Sequence, residues 1–296
     1  MNTIKTHCLA AFLACTTLPL QAQTDNTPQL PPLDDTWTLA WHDEFDGSGP
    51  LDTLTWNAEH GFVRNEEYQW YQQQNAYRQD GILVLEARLD SIPNPAYRPG
   101  RGIRNWKLSR PYARYSSASV HTRRHYSFQY GRMEVRARIP ATCGAWPAIW
   151  TLGTRYPWPS NGEIDVMEFY QVDGAPAILA NAAYGDDTPN HAIWNSRRIP
   201  YTHFLELDRD WGEKFHTWVL DWTPDYLRIW LDGELLNDID IRNTRNGSIG
   251  NFANPFHQPH YILLDLAIGG INGGQPDDNA FPMRYEIDYV RVYQQK

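Results

Sequence analysis

Cysteine, long apolar runs and excess positive charge are all scarce in this chain of 296 residues. It has 3 cysteines and a formal net charge of -9. A nucleic-acid partner is not expected, because the phosphate backbone requires a positively charged protein surface. The longest apolar run, residues 8–20, is too short to cross a bilayer, so no membrane partner is expected once it is removed. What remains has the mixed apolar and charged composition of a folded, soluble protein.

The N-terminal apolar run is typical of a secretory signal peptide. Lys5 precedes it, and the small residue Ala22 suits cleavage directly after it. We therefore predict a signal peptide at residues 1–22 and a periplasmic or extracellular protein. Processing as a lipoprotein at Cys15 is the alternative.

The rest of the chain is predicted to be a linker followed by one domain. Residues 23–35 are rich in Pro, Thr, Gln and Asp and have no apolar periodicity, which is typical of a linker. No second gap of this kind and no internal repeat follows, so residues 36–296 are expected to fold as one domain. After signal cleavage only Cys143 remains, which excludes an internal disulfide. We expect a monomer.

Short strands separated by turn signals dominate this domain. Residues 133–139 and 226–231 alternate with period two, and Asp232-Gly233 offers a tight hairpin turn after the second run. No 12-residue window has a helical apolar stripe between good caps, so helices should be few and short. The pattern predicts an all-β fold, a β-sandwich of the jelly-roll kind with two stacked antiparallel sheets.

Three acidic residues lie close together in one predicted strand, at Glu163, Asp165 and Glu168. Strand parity puts the first two on one face, and a bulge at residues 166–167 would return Glu168 to that face. Three solvated acids on an exposed sheet are the plain alternative. Because like charges inside an apolar strand repel one another, their clustering favours a chemical use. Glycoside cleavage needs such a set, with one carboxylate as nucleophile and a second carboxyl as proton donor.

With this motif in place, the sequence resembles glycoside hydrolase family 16, whose signature is E-x-D-x-E or, with a bulge, E-x-D-x-x-E. Further segments look like the family's N-terminal strand, its central strand, its substrate-binding strand and two later strands, at residues 41–45, 130–134, 144–150, 215–218 and 285–290. The resemblance covers roughly residues 37–294. It implies two curved sheets with a substrate cleft on the concave face.

The resemblance also implies a division of roles among the three acids. Glu163 is the expected nucleophile, Asp165 the helper that orients and tunes it, and Glu168 the general acid/base of a retaining mechanism. A neighbouring negative charge would raise the pKa of Glu168 in the direction that this role requires. No nucleotide-binding or catalytic-metal motif is present, so no catalytic cofactor is expected.

The implied activity is that of an endo-acting β-glucanase on a neutral polysaccharide, either laminarin or mixed-linkage glucan. An endo-hydrolase of a galactan, of the agarase, carrageenan-cleaving or porphyran-cleaving type, is one alternative. A carbohydrate-binding module without turnover is another, although a binder has no reason to keep three mutually repelling acids.

Several residues outside the acidic motif are candidates for substrate binding. Trp146 and Trp150 share one face of a strand and could stack on sugar rings, with core packing as the alternative. Asn65 and Glu66 look like a family segment that borders the donor subsites, with a plain polar loop as the alternative. Arg132 lies on the strand that pairs with the catalytic strand in such folds, and it could hold a sugar hydroxyl or a carboxylate or simply balance Glu134 and the acids.

Asp265 is a departure from the family, which usually has Asn there. Parity places it on the cleft side, opposite Leu264 and Leu266. An extra carboxylate at the cleft disfavours anionic galactans, whereas the arginine-rich segment at residues 98–114 leaves that question open.

A structural calcium ion on the convex side is common in the family. The resemblance suggests Glu44, the backbone carbonyl of Gly81 and Asp288 as its ligands. All three are oxygen donors, as a hard cation requires.

Overall fold

The computed structural model describes residues 29–100 and 104–296. The predicted signal peptide at residues 1–22 and the first half of the linker therefore lie outside the described residues. The strands are β1 (Trp37–Asp43), β2 (Gly49–Pro50), β3 (Asn57–Ala58), β4 (Gln69–Tyr71), β5 (Ala76–Gln79), β6 (Ile82–Pro93), β7 (Tyr112–Ser117), β8 (Ser119–His121), β9 (Gly131–Arg138), β10 (Ala145–Gly153), β11 (Glu163–Val172), β12 (Ala175–Gly185), β13 (Ala192–Pro200), β14 (His216–Trp222), β15 (Tyr226–Leu231), β16 (Glu234–Asp240), β17 (His260–Ile268) and β18 (Met283–Gln295).

The helices in these segments are few and short, as the sequence predicts. The α-helices are α1 (Trp106–Ser109), α2 (Tyr201–Leu207) and α3 (Gly270–Gly273), and the 3-10 turns are Gln73–Asn75, Trp211–Glu213, Ser248–Gly250 and Asp278–Ala280. Within the described ranges, no helix has the length and apolarity needed to cross a membrane.

Two large sheets form the predicted sandwich. The seven-stranded sheet has the order β13-β12-β11-β10-β17-β8-β3, and its pairs are antiparallel. The eleven-stranded sheet runs β16-β15-β14-β9-β18-β6-β5-β2, with β1 beside β18 and with β7 and β4 attached through β6. The β4–β7 pair is parallel. The prediction of an all-β fold with two stacked antiparallel sheets is confirmed.

Apolar side chains of one parity fill the space between the sheets. Met133 and Val135 of β9 and Ile164 and Val166 of β11 are fully buried members of one core cluster. Burying each such side chain contributes about 1.5–3 kcal/mol before entropy losses are counted. Because this face of β11 supplies the core, its opposite face is left free for polar side chains.

A bulge interrupts β11 at the predicted place. The register of its pairing with β12 shifts between Asp165 and Glu168. Its pairing with β10 shifts at the same place, because Ile149 pairs with Met167 whereas the next residue, Trp150, pairs with Asp165. The extra residue restores the parity of Glu168. All three acids of the motif therefore lie on the outer face of the seven-stranded sheet.

Candidate active site

A cavity of about 730 Å³ lies on the outer face of the seven-stranded sheet, centred on β11. The three predicted catalytic acids all line it. The other lining residues are Arg64, Asn65, Glu67, Trp146, Ala148, Trp150, Leu152, Trp158, Tyr170, Asn181, Trp194, Ser196, Arg198, Asp265, Ile271 and Asn272. Strands β10, β11, β12, β13 and β17 supply most of them, so the rigid sheet itself positions the site.

Glu163 is arranged to carry charge. The indole N–H of Trp158 donates a hydrogen bond to its Oε2 at 2.5 Å. Burial raises the pKa of Glu163, but this hydrogen bond and a second one from Asp165 oppose that rise. Donors that stabilise the carboxylate suit a nucleophile, which must be ionised to attack.

Asp165 lies between the two glutamates in the motif. It is 1% exposed. Burial first, and then the negative charges of Glu163 and Glu168, raise its pKa well above the usual range. The hydrogen bond between Asp165 and Glu163 raises the pKa of Asp165 and lowers that of Glu163, which favours leaving the charge of the pair on the nucleophile.

Glu168 is arranged to hold a proton near neutral pH. Burial raises its pKa to about 8, and the charges of Glu163 and Asp265 act in the same direction. Two donors partly oppose this rise: Trp146 Nε1 lies 3.0 Å from Oε1, and Asn181 Nδ2 lies 2.9 Å from Oε2. The raised pKa of Glu168 therefore suits the acid of an acid-assisted nucleophilic displacement, in which Glu163 is the nucleophile.

Asp265 faces the cavity from β17, where parity places it. Its carboxylate accepts hydrogen bonds from Trp150 Nε1 at 2.6 Å and from the Tyr71 hydroxyl at 3.0 Å. Burial raises its pKa to about 6, so it is mostly ionised at neutral pH. Asp265 therefore adds a negative charge to the part of the cavity lining that β17 supplies.

A cluster of charges next to Asp265 was not predicted. Arg64 forms an ion pair with Glu59, and its guanidinium carbon lies 5.1 Å from the ring centroid of Trp150. Its Nη1 atom is buried without a hydrogen-bond partner among the described residues. Glu67 is 2% exposed and accepts a hydrogen bond from Gln69 at 2.7 Å, and burial raises its pKa to about 7.

The turn before β4 explains why Glu67, and not the predicted Glu66, faces the cavity. Asn65 and Glu66 both have positive φ, at 55° and 53°. Asn65 lines the cavity as predicted, whereas Glu66 is exposed and points away from it. Gly270, at φ 73°, packs on this turn, and a Cβ there would lie 2.6 Å from the Asn65 carbonyl oxygen. The prediction for Glu66 was off by one residue, since Glu67 lines the cavity and Glu66 does not.

The predicted role of Arg132 in substrate binding is wrong. Arg132 lies on β9 of the eleven-stranded sheet, whereas the neighbours of β11 are β10 and β12. It is 3% exposed and makes a bidentate ion pair with Asp221, at 2.6 and 2.9 Å. Its Nη1 also donates to the Pro31 carbonyl. Arg132 therefore balances a buried carboxylate, which is the alternative that the sequence left open.

The predicted tryptophans line the cavity, but they form its floor. Trp146 and Trp150 are only 5% and 8% exposed, and the indole N–H of each donates a hydrogen bond to a carboxylate. Trp158 and Trp194 are 40% and 46% exposed and offer the open aromatic faces. Sequence reasoning missed these two, although Trp158 stands only five residues before Glu163.

The proposed calcium ligands do not fit a metal ion. The Glu44 carboxylate is held by Arg291 at 2.7 and 2.8 Å, and Asp288 is paired with Arg136 at 2.5 Å. A guanidinium on each carboxylate takes the place of a cation. Across residues 29–100 and 104–296, no group of three or more His, Cys, Asp or Glu side chains is placed to hold one.

Two of the described arginines in the 98–114 segment, Arg110 and Arg114, make structural contacts. Arg110 Nη2 donates to the Glu66 carbonyl at 2.6 Å, and Arg110 also packs on Trp106. Arg114 pairs with Asp278 at 2.8 Å. None of the arginines described in this segment lines the cavity.

Comparisons with known proteins agree with this geometry. The sequence model of the family described as "Glycosyl hydrolases family 16" matches residues 64–291. A β-glucanase of Rhodothermus marinus is 34% identical over 277 residues, which cover 87% of this chain and 85% of that protein.

Solved structures of similar proteins include a non-specific endo-β-1,3(4)-glucanase, which is 31% identical with a TM-score of 0.71, over 90% of this chain and 95% of that one. Another belongs to work on endo-acting O-glycanases that human gut bacteria express to initiate mucin breakdown. It is 33% identical with a TM-score of 0.77, over 90% of this chain and 94% of the other.

Proposed function

Because the chain belongs to glycosyl hydrolase family 16, we propose that it is an endo-acting β-glucanase that cleaves β-1,3-glucan or mixed β-1,3/1,4-glucan. The observation that carries the proposal is the contrast between Glu163, whose donors favour the carboxylate, and Glu168, whose pKa is raised to about 8. The β-glucanase relative supports the choice of substrate. No catalytic cofactor enters the reaction. The proposal includes no structural calcium ion, because the carboxylates of Glu44 and Asp288 form ion pairs with arginines.

The reaction proceeds by a retaining double displacement. Glu168 gives its proton to the glycosidic oxygen while the Glu163 carboxylate attacks the anomeric carbon, which forms a covalent glycosyl-enzyme and releases the leaving sugar. Glu168, now ionised, takes a proton from water as that water attacks the same carbon from the face opposite Glu163, which breaks the bond between the sugar and Glu163 and restores the Glu163 carboxylate. The raised pKa of Asp165 limits the charge that accumulates between the two glutamates.

Azide rescue separates the roles of the two glutamates. Glu163→Ala should lose essentially all turnover, and azide should restore cleavage with an α-glycosyl azide as product. Glu168→Ala should be crippled on polysaccharide but much less so on an activated aryl glycoside, and azide should then give the β-azide. Finding the two anomers exchanged would reverse the assignment.

A substrate screen tests the activity itself. Laminarin, barley β-glucan, agarose and carrageenan are each incubated with the enzyme and assayed for new reducing ends. Since the sheet face is open, the viscosity of the cleaved glucan should fall before much reducing sugar appears. Cleavage of agarose or carrageenan alone would favour a galactan hydrolase, and binding without turnover would favour a carbohydrate-binding module. Mucin O-glycans belong in the screen because of the O-glycanase structure.

We also propose that the enzyme is exported and acts as a monomer. The apolar run at residues 8–20 and the residue Ala22 support export, and the net charge of -9 supports solubility without a partner. N-terminal sequencing of the secreted protein should begin at Gln23, and a lipidated N-terminus at Cys15 would contradict this. Size-exclusion chromatography with light scattering tests the monomer.

A further inference from the structure

The β17 side of the cleft, formed by Glu67 and Asp265, is unsuited to a negatively charged sugar. Both side chains are carboxylic, and Asp265 has a pKa of about 6. The one cation that lines this side, among the residues the structure describes, is Arg64, which is already paired with Glu59. An anionic substituent placed here would meet like charge in a buried setting.

The β13 side of the cleft, formed by Trp194, Ser196 and Arg198, has the opposite character. These alternate residues of one strand line the cavity, and none of them is acidic. Arg198 is exposed and makes no salt bridge within the described part of the chain. Its charge reaches the neighbouring Tyr170, where it opposes the burial that raises the pKa of the phenol.

The register of the strands fixes how far Arg198 lies from the reacting bond. Arg198 pairs with Leu179 of β12, and Leu179 pairs with Glu168 of β11. Two strand spacings amount to about 10 Å. A glycan whose leaving-group oxygen reaches Glu168 can therefore also cover Arg198 and the open face of Trp194.

Strand parity also provides an internal control. Arg197 is the neighbour of Arg198 in sequence and is equally exposed, but it belongs to the opposite face of β13 and does not line the cavity. Asn195, on the same face as Arg197, contacts Asn237 of the eleven-stranded sheet at 3.2 Å. Only one of the two arginines is thus available to a glycan in the cleft.

We propose that the β13 side of the cleft binds a sugar residue bearing an anionic substituent, a sulfate ester or a carboxylate, through Arg198, with Trp194 packed against the sugar ring. A guanidinium matches either anion with two parallel hydrogen bonds, and an indole face suits the apolar side of a pyranose. This inference rests on the proposed hydrolysis of a β-glycan and extends its substrates from neutral to substituted chains. Substituted residues are accepted on the β13 side and rejected on the β17 side.

The test compares wild type, Arg198→Ala and Arg197→Ala on three versions of one β-1,3-glucan: unmodified, lightly carboxymethylated and lightly sulfated. The Arg198→Ala variant should lower kcat/KM on an anionic glucan about fivefold more than on the neutral one, and salt should weaken the difference. The Arg197→Ala variant should leave that ratio as in wild type. The two anionic polymers separate carboxylate from sulfate. An equal effect of both variants, or an unchanged ratio in Arg198→Ala, overturns the proposal.

Product analysis gives a second, independent readout. Mass spectrometry of the released oligosaccharides locates substituents relative to each cleaved bond. They should flank the bond on one side only, because the β17 side rejects them. Substituents found equally next to the new reducing and non-reducing ends would contradict the inference.

Affinity electrophoresis in gels containing each polymer measures binding without turnover, so it tests the inference about Arg198 separately from the proposed β-glucanase activity. If wild type cleaves none of the glucans, the proposed β-glucanase activity fails. If wild type is still retarded more by the anionic polymer than by the neutral one, and Arg198→Ala alone loses this difference, the inference stands. Equal retardation of wild type by all three polymers overturns it.

Discussion

Replacing Asn181 with leucine should move the pH dependence of catalysis upward. Asn181 is 2% exposed on β12, directly opposite Asp165, and its Nδ2 donates to Glu168 Oε2 at 2.9 Å. Leucine has the same number of side-chain heavy atoms and the same branching at Cγ but no donor. Since the hydrogen bond stabilises the ionised form of Glu168, its loss must raise the pKa of that carboxyl.

The size of the shift follows from the strength of that hydrogen bond. A hydrogen bond to a charged group contributes about 1.5–3 kcal/mol, and one pKa unit corresponds to about 1.4 kcal/mol. The pKa of Glu168, about 8 in the native site, should therefore rise by roughly one to two units. Asn181 Oδ1 is buried and has no hydrogen-bond partner among the described residues, so its removal should cost the fold less than about 1 kcal/mol.

The assay is kcat/KM on polysaccharide from about pH 5 to about pH 10. Activity needs protonated Glu168, so the alkaline limb should move to higher pH in Asn181→Leu. The limb should stay in place for Asn195→Leu, an amide on the neighbouring strand that faces away from the cleft. On an activated aryl glycoside, whose departure needs no proton, the shift should be much smaller. An alkaline limb that stays in place or moves to lower pH would refute the reasoning.

Three further expectations concern the same cleft and its surroundings. Trp158→Phe removes the donor to Glu163 Oε2, so the pKa of Glu163 should rise and the acidic limb of kcat/KM should move to higher pH; an unmoved acidic limb would show that this hydrogen bond does not tune the nucleophile. Asp265→Asn should change activity or linkage preference while the free energy of unfolding, measured in urea, changes by about 1 kcal/mol or less; a large loss of stability with unchanged kinetics would make Asp265 a structural residue. A chelator should leave the melting temperature unchanged, because arginines neutralise Glu44 and Asp288; a clear fall would restore the calcium site.

Parity and bulge rules were enough to predict much of the site. Alternation placed Trp146, Trp150 and Asp265 on the cleft side, and the spacing of the acids located the bulge. These features depend on local strand geometry, which the sequence expresses directly.

What could not be predicted depends on contacts between distant segments. Arg132 was misplaced because a sequence does not show which sheet a strand joins, and its partner Asp221 lies 89 residues away. Glu66 was chosen over Glu67 from the family resemblance alone, and the two positive φ angles in the turn before β4 are not visible in the sequence. Arg64 gave no signal, since its importance comes from burial beside Trp150.

The position of β13 at the end of its sheet has a consequence for solubility. A nine-residue strand at a sheet edge presents unpaired backbone donors and acceptors, which can recruit a strand from another molecule and start aggregation. Arg197 and Arg198 place adjacent positive charges on both faces of this edge, and Pro200 ends the strand with a residue that has no N–H to donate. Two copies aligned edge to edge would bring these arginines together. The strand that forms one wall of the cleft therefore also carries charges that disfavour edge-to-edge pairing with a second copy.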